Sequence, residues 1–323
     1  MPLGLDIGGA NLKASDGEQL SCSRAFAIWR HPERLAAELK QLLSVFEGEA
    51  TLAVTMTAEL ADCFATKAEG IDAILTAVEA AAGGREIAVW QTGAEFVSPE
   101  EARDLPRLVA AANWHALATW AGRSAPDDAA LLIDIGSTTT DIVPIEQGAP
   151  VPAGLTDLER LLSGELVYLG VRRTPLCAVA QSVQLRGESC PLAAELFATT
   201  LDLALLTGTV AEDAGDCDTA DGRPATIDAA HNRLAHLVCC DVTELSRDEA
   251  VELARQLADR LSQRIRTAVE RVARRLALPC RTLIVSGEGA PLARSAAAWV
   301  SGLSGADAIS LTDLLGARHS QAA

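Results

Sequence analysis

Apolar residues recur along the first half of the chain in two alternating rhythms. Leu35, Leu39, Leu42 and Leu43 fall on one face at helical spacing, which predicts a helix over residues 32–46. Residues 51–57 form a β-rich run. Residues 71–82 return to helical spacing and close at Gly83-Gly84. A short strand is predicted over 86–90. A helix is predicted over 106–121, with Pro106 at its start and Gly122 just past its end. Strands alternating with helices in this order point to an α/β fold.

The second half is less regular. Residues 148–164 are rich in Pro and Gly and read as loops. Residues 192–206 read as a helix, and 216–224 (DCDTADGRP) as an acidic loop. The clearest helix is predicted over 246–277. Ser246 and Glu249 make a capping box at its start. Ala254, Leu257, Leu261, Ile265, Val269, Val272 and Leu276 run down one face, and Pro279 follows its end. Residues 281–294 (RTLIVSGEGAPLAR) read as strand, glycine turn and helix.

An internal echo organises these elements. LGLDIGGANLKAS begins at Leu3 and LLIDIGSTTTDIV begins at Leu131, so that Asp6, Ile7 and Gly8 align with Asp134, Ile135 and Gly136. Each copy is an apolar strand, D-x-G, a small polar turn and a second strand-like run. Two such units predict a duplicated domain. Residues 124–128 (SAPDD) are the boundary candidate, giving a first domain over 1–125 and a second over 126–323. A return of the chain to the first domain from about residue 297 is left open. The expected architecture is two duplicated ribonuclease-H-like domains, each a mixed sheet flanked by helices, with a cleft between them.

Charge narrows the chemistry. The chain has 323 residues, enough for two cores, and 27 basic against 44 acidic residues give a net charge of −17. Without a basic block, nucleic acid and anionic membranes are poor partners. Small molecules are the expected partners, and a homo-oligomer is compatible. No basic-then-apolar leader opens the sequence and no run reaches the roughly 20 apolar residues of a membrane helix, so a cytoplasmic protein is expected. The eight cysteines form no C-x-x-C pair and are too sparse for a disulfide scaffold. They read as thiols in a reducing compartment. No H-E-x-x-H or other zinc pattern occurs.

The echo carries the candidate chemistry. A carboxylate at a strand end followed by a glycine turn places backbone N–H groups where an anion can nest. Gly8, Gly9, Asn11 and Lys13 in the first copy, and Gly136, Ser137, Thr138 and Thr139 in the second, are the phosphate-binding candidates. Asp6 and Asp134 would not touch phosphate directly. They suit a hydrated Mg²⁺, which takes one or two carboxylates together with phosphate oxygens. Either turn alone is an ordinary β-turn, and a threonine run also suits an edge strand. The pair, with S-G-E-G further on, favours phosphate binding. Ser286, Gly287 and Gly289 form that third turn, suited to a nucleotide or diphosphate. Arg172 and Arg173 offer guanidinium forks to a carboxylate or phosphate. Asp216 to Asp221 resembles a calcium loop only superficially, because Ala220 and Ile227 stand where oxygen ligands are needed. Asp218 and Asp221 remain candidates for the cleft.

This three-part pattern resembles the superfamily of actin, sugar kinases and acetate kinase, where two D-x-G hairpins grip phosphates across a cleft. Within it the chain looks closer to the hydantoinase/oxoprolinase-like branch and to the condensing enzymes of methanofuran biosynthesis. The residues that carry this are N-W-H-A-L-A from Asn113, G-E-L-V-Y-L-G-V-R-R-T-P from Gly164, D-T-A-D-G-R-P from Asp218 and R-L-A-H-L-V-C-C-D from Arg233. The resemblance implies a transferase that joins an aminomethylfuran-methyl diphosphate to the phenol of γ-glutamyltyramine, forming an ether and releasing pyrophosphate. Asp6 and Asp134 would then hold Mg²⁺, and Asp141 would serve as base for the phenol. Asn113, Tyr168, Arg172, Arg173 and Asp221 would meet substrate. Two alternatives stay open: an ATP-dependent small-molecule kinase on the same fold, the one case that requires ATP, and a non-catalytic nucleotide-binding assembly protein.

Overall fold

Two six-stranded sheets divide the chain. The structure, a computed structural model, describes residues 2–46, 48, 51–303 and 305–315. The first sheet runs Ser21–Ala25, Asn11–Ser15, Leu3–Ile7, Leu52–Met56, Ile87–Gln91, Glu95–Val97. Its three inner strands are parallel and hairpins close both edges, so the sheet is mixed. The helices Leu35–Leu43 and Lys67–Ala81 bury their apolar faces in its core.

The second sheet runs Leu166–Val167, Thr140–Glu146, Ala129–Ile135, Cys280–Ser286, Asp307–Ser310, with Ala149–Pro150 added beside Thr140–Glu146. Strand Ala129–Ile135 shows why this sheet sits deep. Leu131, Ile133 and Ile135 join the core under the long helix Arg247–Ala273, whereas Ala130 and Leu132 face the cluster of Trp114 and Ala118 on the other side. Successive side chains of a strand point to opposite faces, so a strand covered on both reads as a continuous apolar run. Asp134 alone interrupts that burial, at the open end of the strand.

The helix expected over 106–121 is two helices, Pro106–Val109 and Asn113–Ala121. Val109 and Ala110 pack in the core of the first sheet, whereas Trp114, Ala118 and Ala121 pack on the second. One straight helix cannot do both. The break is made at Ala111, whose φ of 50 is left-handed. Residues 148–164 are not all loop: Asp157–Ser163 is a helix, opened by a Thr156/Glu159 capping box and ended by Gly164 at φ 82. Residues 192–206 are helical only over Thr200–Leu206, because Thr199 is held by a bridge to Pro175. The hairpin Ser182–Leu185/Glu188–Pro191 and the helix Ile227–Leu237 were not expected from the sequence. Strand Asp307–Ser310 adds to the second sheet, and Leu311 packs on that sheet in the cluster of Trp114 and Ala118. No helix among the described residues is long and apolar enough to cross a membrane.

Candidate active site

The two D-x-G segments fold as matching hairpins. Asp6 lies opposite Lys13 in the first and Asp134 opposite Asp141 in the second. The same turn hydrogen bond closes each: Gly8 N–H donates to Asn11 O at 2.9 Å, and Gly136 N–H to Thr139 O at 2.9 Å. The match extends to the neighbouring parallel strand. Thr55 is in register with Asp6 and its Oγ1 donates to Asp6 Oδ1 at 3.2 Å. Ser286 is in register with Asp134 and hydrogen-bonds its carboxylate. Thr57 N–H then donates to Ile7 O, and Gly289 N–H to Ile135 O, both at 2.9 Å. S-G-E-G is therefore the second half's counterpart of the segment that begins at Thr55. A Cβ on Gly287, at φ 79, would stand 2.3 Å from Ile135 O, so this turn requires glycine.

The hairpins face one cleft of about 1350 Å³. Asp6, Gly8, Gly9, Asn11, Lys13, Asp134, Gly136 to Thr139 and Asp141 all line it. Asn113, Tyr168, Arg173, Ser286 and Gly287 line it too. Arg172, Asp218, Asp221 and Gly289 do not.

Burial dominates the electrostatics. It pushes Asp134 up to about 6, with the charge of Asp141 adding to the rise and Ser286 and Lys13 opposing it. Burial also raises Asp6, against Lys13 and the Thr55 hydroxyl. Lys13 thus acts on both carboxylates, one from each half. These two carboxylates are the groups that would hold a hydrated Mg²⁺. Among the described residues no cluster of three or more His, Cys, Asp or Glu could cage a metal. Mg²⁺ needs no such cage, since it keeps waters and completes its shell with phosphate oxygens.

Asp141 is not a free carboxylate. Arg160 Nη2 donates to its Oδ1 at 2.6 Å, and Arg160 is 1% exposed with its guanidinium 3.8 Å from the centre of the Trp114 ring. Trp114 therefore serves as a floor for the cation that holds Asp141. Sequence reading missed Arg160, although the T-x-x-E box just before it marks its helix.

The Arg172-Arg173 pair does not present two free cations. Arg172 is paired with Asp216, and Arg173 with Asp218 at 2.8 Å. Their backbone amides instead buttress the second turn: both donate to Ser137 O, at 3.1 and 2.9 Å. Gly170 allows this approach, because a Cβ there would lie 2.4 Å from Ser137 C and Thr138 N. Gly170→Ala is expected to displace the turn, cost about 1–3 kcal/mol of stability and lower activity through a raised KM for the substrate group held at that turn. Denaturation and steady-state kinetics on the variant check this, and wild-type values of both would remove Gly170 from the site. Asp221 also lies elsewhere. It binds Arg233 at 3.0 Å and Arg223 at 3.2 Å, and the buried Arg233 is paired with Asp202 at 2.7 Å. The acidic loop is thus tied at Asp216 and Asp218 to the Arg172-Arg173 segment and at Asp221 to helix Ile227–Leu237, and none of these three carboxylates lines the cleft.

Glu59 is a further residue that sequence reading missed. It follows strand Leu52–Met56, lies at the cleft wall at 1% exposure, and its Oε2 has no hydrogen-bond partner among the described residues. No contiguous signal marked it, since only the fold brings the residues after Met56 to the cleft wall.

Comparison with known proteins gives a consistent picture. A family profile described as hydantoinase/oxoprolinase matches residues 50–309. A protein of Methanocaldococcus jannaschii named (4-{4-[2-(gamma-L-glutamylamino)ethyl]phenoxymethyl}furan-2-yl)methanamine synthase is 35% identical over 300 residues, covering 92% of this chain and 88% of that one. A protein of the same name from Methanococcus vannielii is 33% identical over 170 residues, 53% of this chain and 75% of its own. Among solved structures, nucleotide-free acetone carboxylase superposes with a TM-score of 0.50 at 14% identity, covering 92% of this chain and 49% of that chain. At that identity the likeness is one of fold. The fold itself is α/β, with two mixed sheets flanked by helices.

Proposed function

The chain belongs to the hydantoinase/oxoprolinase family, and from that premise we propose that it is an ether-forming transferase of methanofuran biosynthesis. Its substrates are the phenol of γ-glutamyltyramine and an aminomethylfuran-methyl diphosphate. The observation that carries this reading is the 35% identity, over 92% of the chain, to a synthase whose product name contains a phenoxymethyl-furan ether. That bond joins a phenol oxygen to a furan-bound methylene. Making it from a phenol requires a leaving group on the methylene, and a cleft faced by two phosphate-type turns suits a diphosphate.

In this reaction the phenol oxygen forms the new bond to the methylene carbon. The bond from that carbon to the diphosphate oxygen breaks, and its electron pair leaves with pyrophosphate. Gly8, Gly9, Gly136 and the Ser137 to Thr139 hydroxyls cradle the diphosphate, and Lys13 offsets its charge. Asp6 and Asp134 would hold Mg²⁺, which would supply further neutralisation of the leaving group. Asp141, with Oδ1 held by Arg160, offers Oδ2 to the phenol proton. Alignment of the phenol with the methylene supplies much of the acceleration. The eight free thiols suit a reducing compartment, and we place the reaction in the cytoplasm.

The test is to incubate the purified chain with the furan-methyl diphosphate, γ-glutamyltyramine and Mg²⁺, without nucleotide. The expected result is one pyrophosphate per ether, with the adduct identified by mass. Strict dependence on ATP, with ADP released in place of pyrophosphate, would overturn the reading in favour of a kinase.

A further inference from the structure

Four cationic side chains line the cleft: Lys13, Arg160, Arg173 and Arg294. Two are hydrogen-bonded to acids: Arg160 donates to Asp141 and Arg173 to Asp218. Lys13 lies opposite Asp6 in the first hairpin, among the glycine turns. Arg294 has no hydrogen bond to an acid among the described residues. Its one ion-pair partner, Asp313, stands at 3.8 Å, outside hydrogen-bond reach, and the two side chains are 48% and 80% exposed. Asp313 also lines the cleft.

The fold puts this loose pair at a defined distance from the phosphate turns. Arg294 lies on helix Ala290–Ala298, which begins directly after the S-G-E-G turn, so it is one helical turn, about 6 Å, beyond Ala290. Asp313 lies on helix Leu311–Leu315, which follows strand Asp307–Ser310. That strand is parallel to Cys280–Ser286, so the two helices leave the sheet at the same end.

We propose that Arg294 and Asp313 form a subsite for a free α-amino-acid group, with Arg294 taking the carboxylate and Asp313 the ammonium. The inference rests on the acceptor named above, whose γ-glutamyl end carries these two charges on one carbon. A ring, an ethyl linker, an amide and the glutamyl methylenes separate that carbon from the phenol oxygen. The acceptor must therefore be read well away from the diphosphate. Glu59, Asp62, Asp157 and Glu288 also line the cleft and disfavour a carboxylate placed beside them. A guanidinium fork matches a carboxylate in geometry as well as charge. An exposed ion pair at 3.8 Å, with no hydrogen bond between its members, can yield to a zwitterion that meets both charges.

The experiment compares γ-glutamyltyramine with N-butyryltyramine, which keeps the phenol and amide and lacks the amino-acid end. For the wild type, kcat/KM is expected to favour the glutamyl acceptor. In Arg294→Ala the ratio of kcat/KM between the two acceptors should fall at least about tenfold, through KM for the glutamyl acceptor. Arg294→Lys should fall between wild type and Ala, and Asp313→Asn should lower the ratio as well. An unchanged ratio in Arg294→Ala, or equal losses on both acceptors, would overturn the subsite. If the wild type makes no ether from either acceptor, the reaction assignment has failed, and calorimetry then decides the subsite. In that case γ-glutamyltyramine should bind wild type more tightly than Arg294→Ala, and equal affinity would overturn it.

Discussion

Asp134→Asn is expected to lower ether formation by at least a hundred- to thousand-fold while leaving the protein as stable as the wild type or more so. The two effects have one cause. Asp134 sits at the end of an otherwise buried strand, beside Asp141, and burial raises it to about 6. At pH 7.5 the ionised side chain is thus held where folding disfavours its charge. A carboxyl whose folded value is raised contributes stability below its unfolded value, and that contribution is lost as pH rises through the folded value. Asn keeps the size and an acceptor for the Ser286 hydroxyl but carries no charge, so the penalty disappears. The same substitution removes the anionic oxygens beside the second glycine turn, and losses of this size are typical when one preorganised electrostatic partner is removed. Asp6→Asn should behave alike, because burial raises Asp6 as well. Adduct formation at saturating Mg²⁺ and a denaturant melt at pH 7.5 give the two readouts. Wild-type turnover in either variant would remove that carboxylate from the site, and a large loss of stability would show that the charge is structural.

The duplication was legible because it rests on local chemistry. D-x-G followed by a small polar turn is a contiguous signal, and the structure gives both copies the same Gly8–Asn11 and Gly136–Thr139 hydrogen bond. What the sequence hid was every contact set by strand register or by a distant loop. Thr55 meets Asp6 across 49 positions, and only the pairing of parallel strands brings them level. Arg172 and Arg173 invited reading as free cations because their partners, Asp216 and Asp218, lie 44 and 45 positions away. Arg294 reads in sequence as an ordinary helix residue, and only the fold brings it to the cleft. The predicted helix over 106–121 failed for a tertiary reason. Its pattern is continuous, but its two ends serve different sheets, and the left-handed Ala111 makes the turn between them.

Glu59→Gln is expected to change the pH dependence of stability rather than stability alone. Glu59 is 1% exposed, and burial pushes it up to about 7 from an ordinary 4.5. Its own amide, Lys67 and the amide of Ala111 oppose the rise, and the charge of Asp157 adds to it. Lys67 offers limited relief, since its Nζ stands 3.9 Å from Oε1 and Oε2 has no hydrogen-bond partner among the described residues. Below about pH 4.5 the carboxyl is neutral in both folded and unfolded chains. Between there and 7 the unfolded chain ionises first, so the wild type loses stability as pH rises. The shift of about 2.5 units sets a ceiling of about 3 kcal/mol on that loss. Gln cannot ionise, so its stability should lack this component. The unpaired amide of Gln adds a fixed cost at every pH, and the slope is therefore the quantity to read. Urea denaturation at pH 5 and pH 8 should show the variant gaining on the wild type by about 2–3 kcal/mol between the two. Parallel behaviour at both pH values would mean that Glu59 carries its charge without penalty, and would remove it as a strained group at the cleft wall.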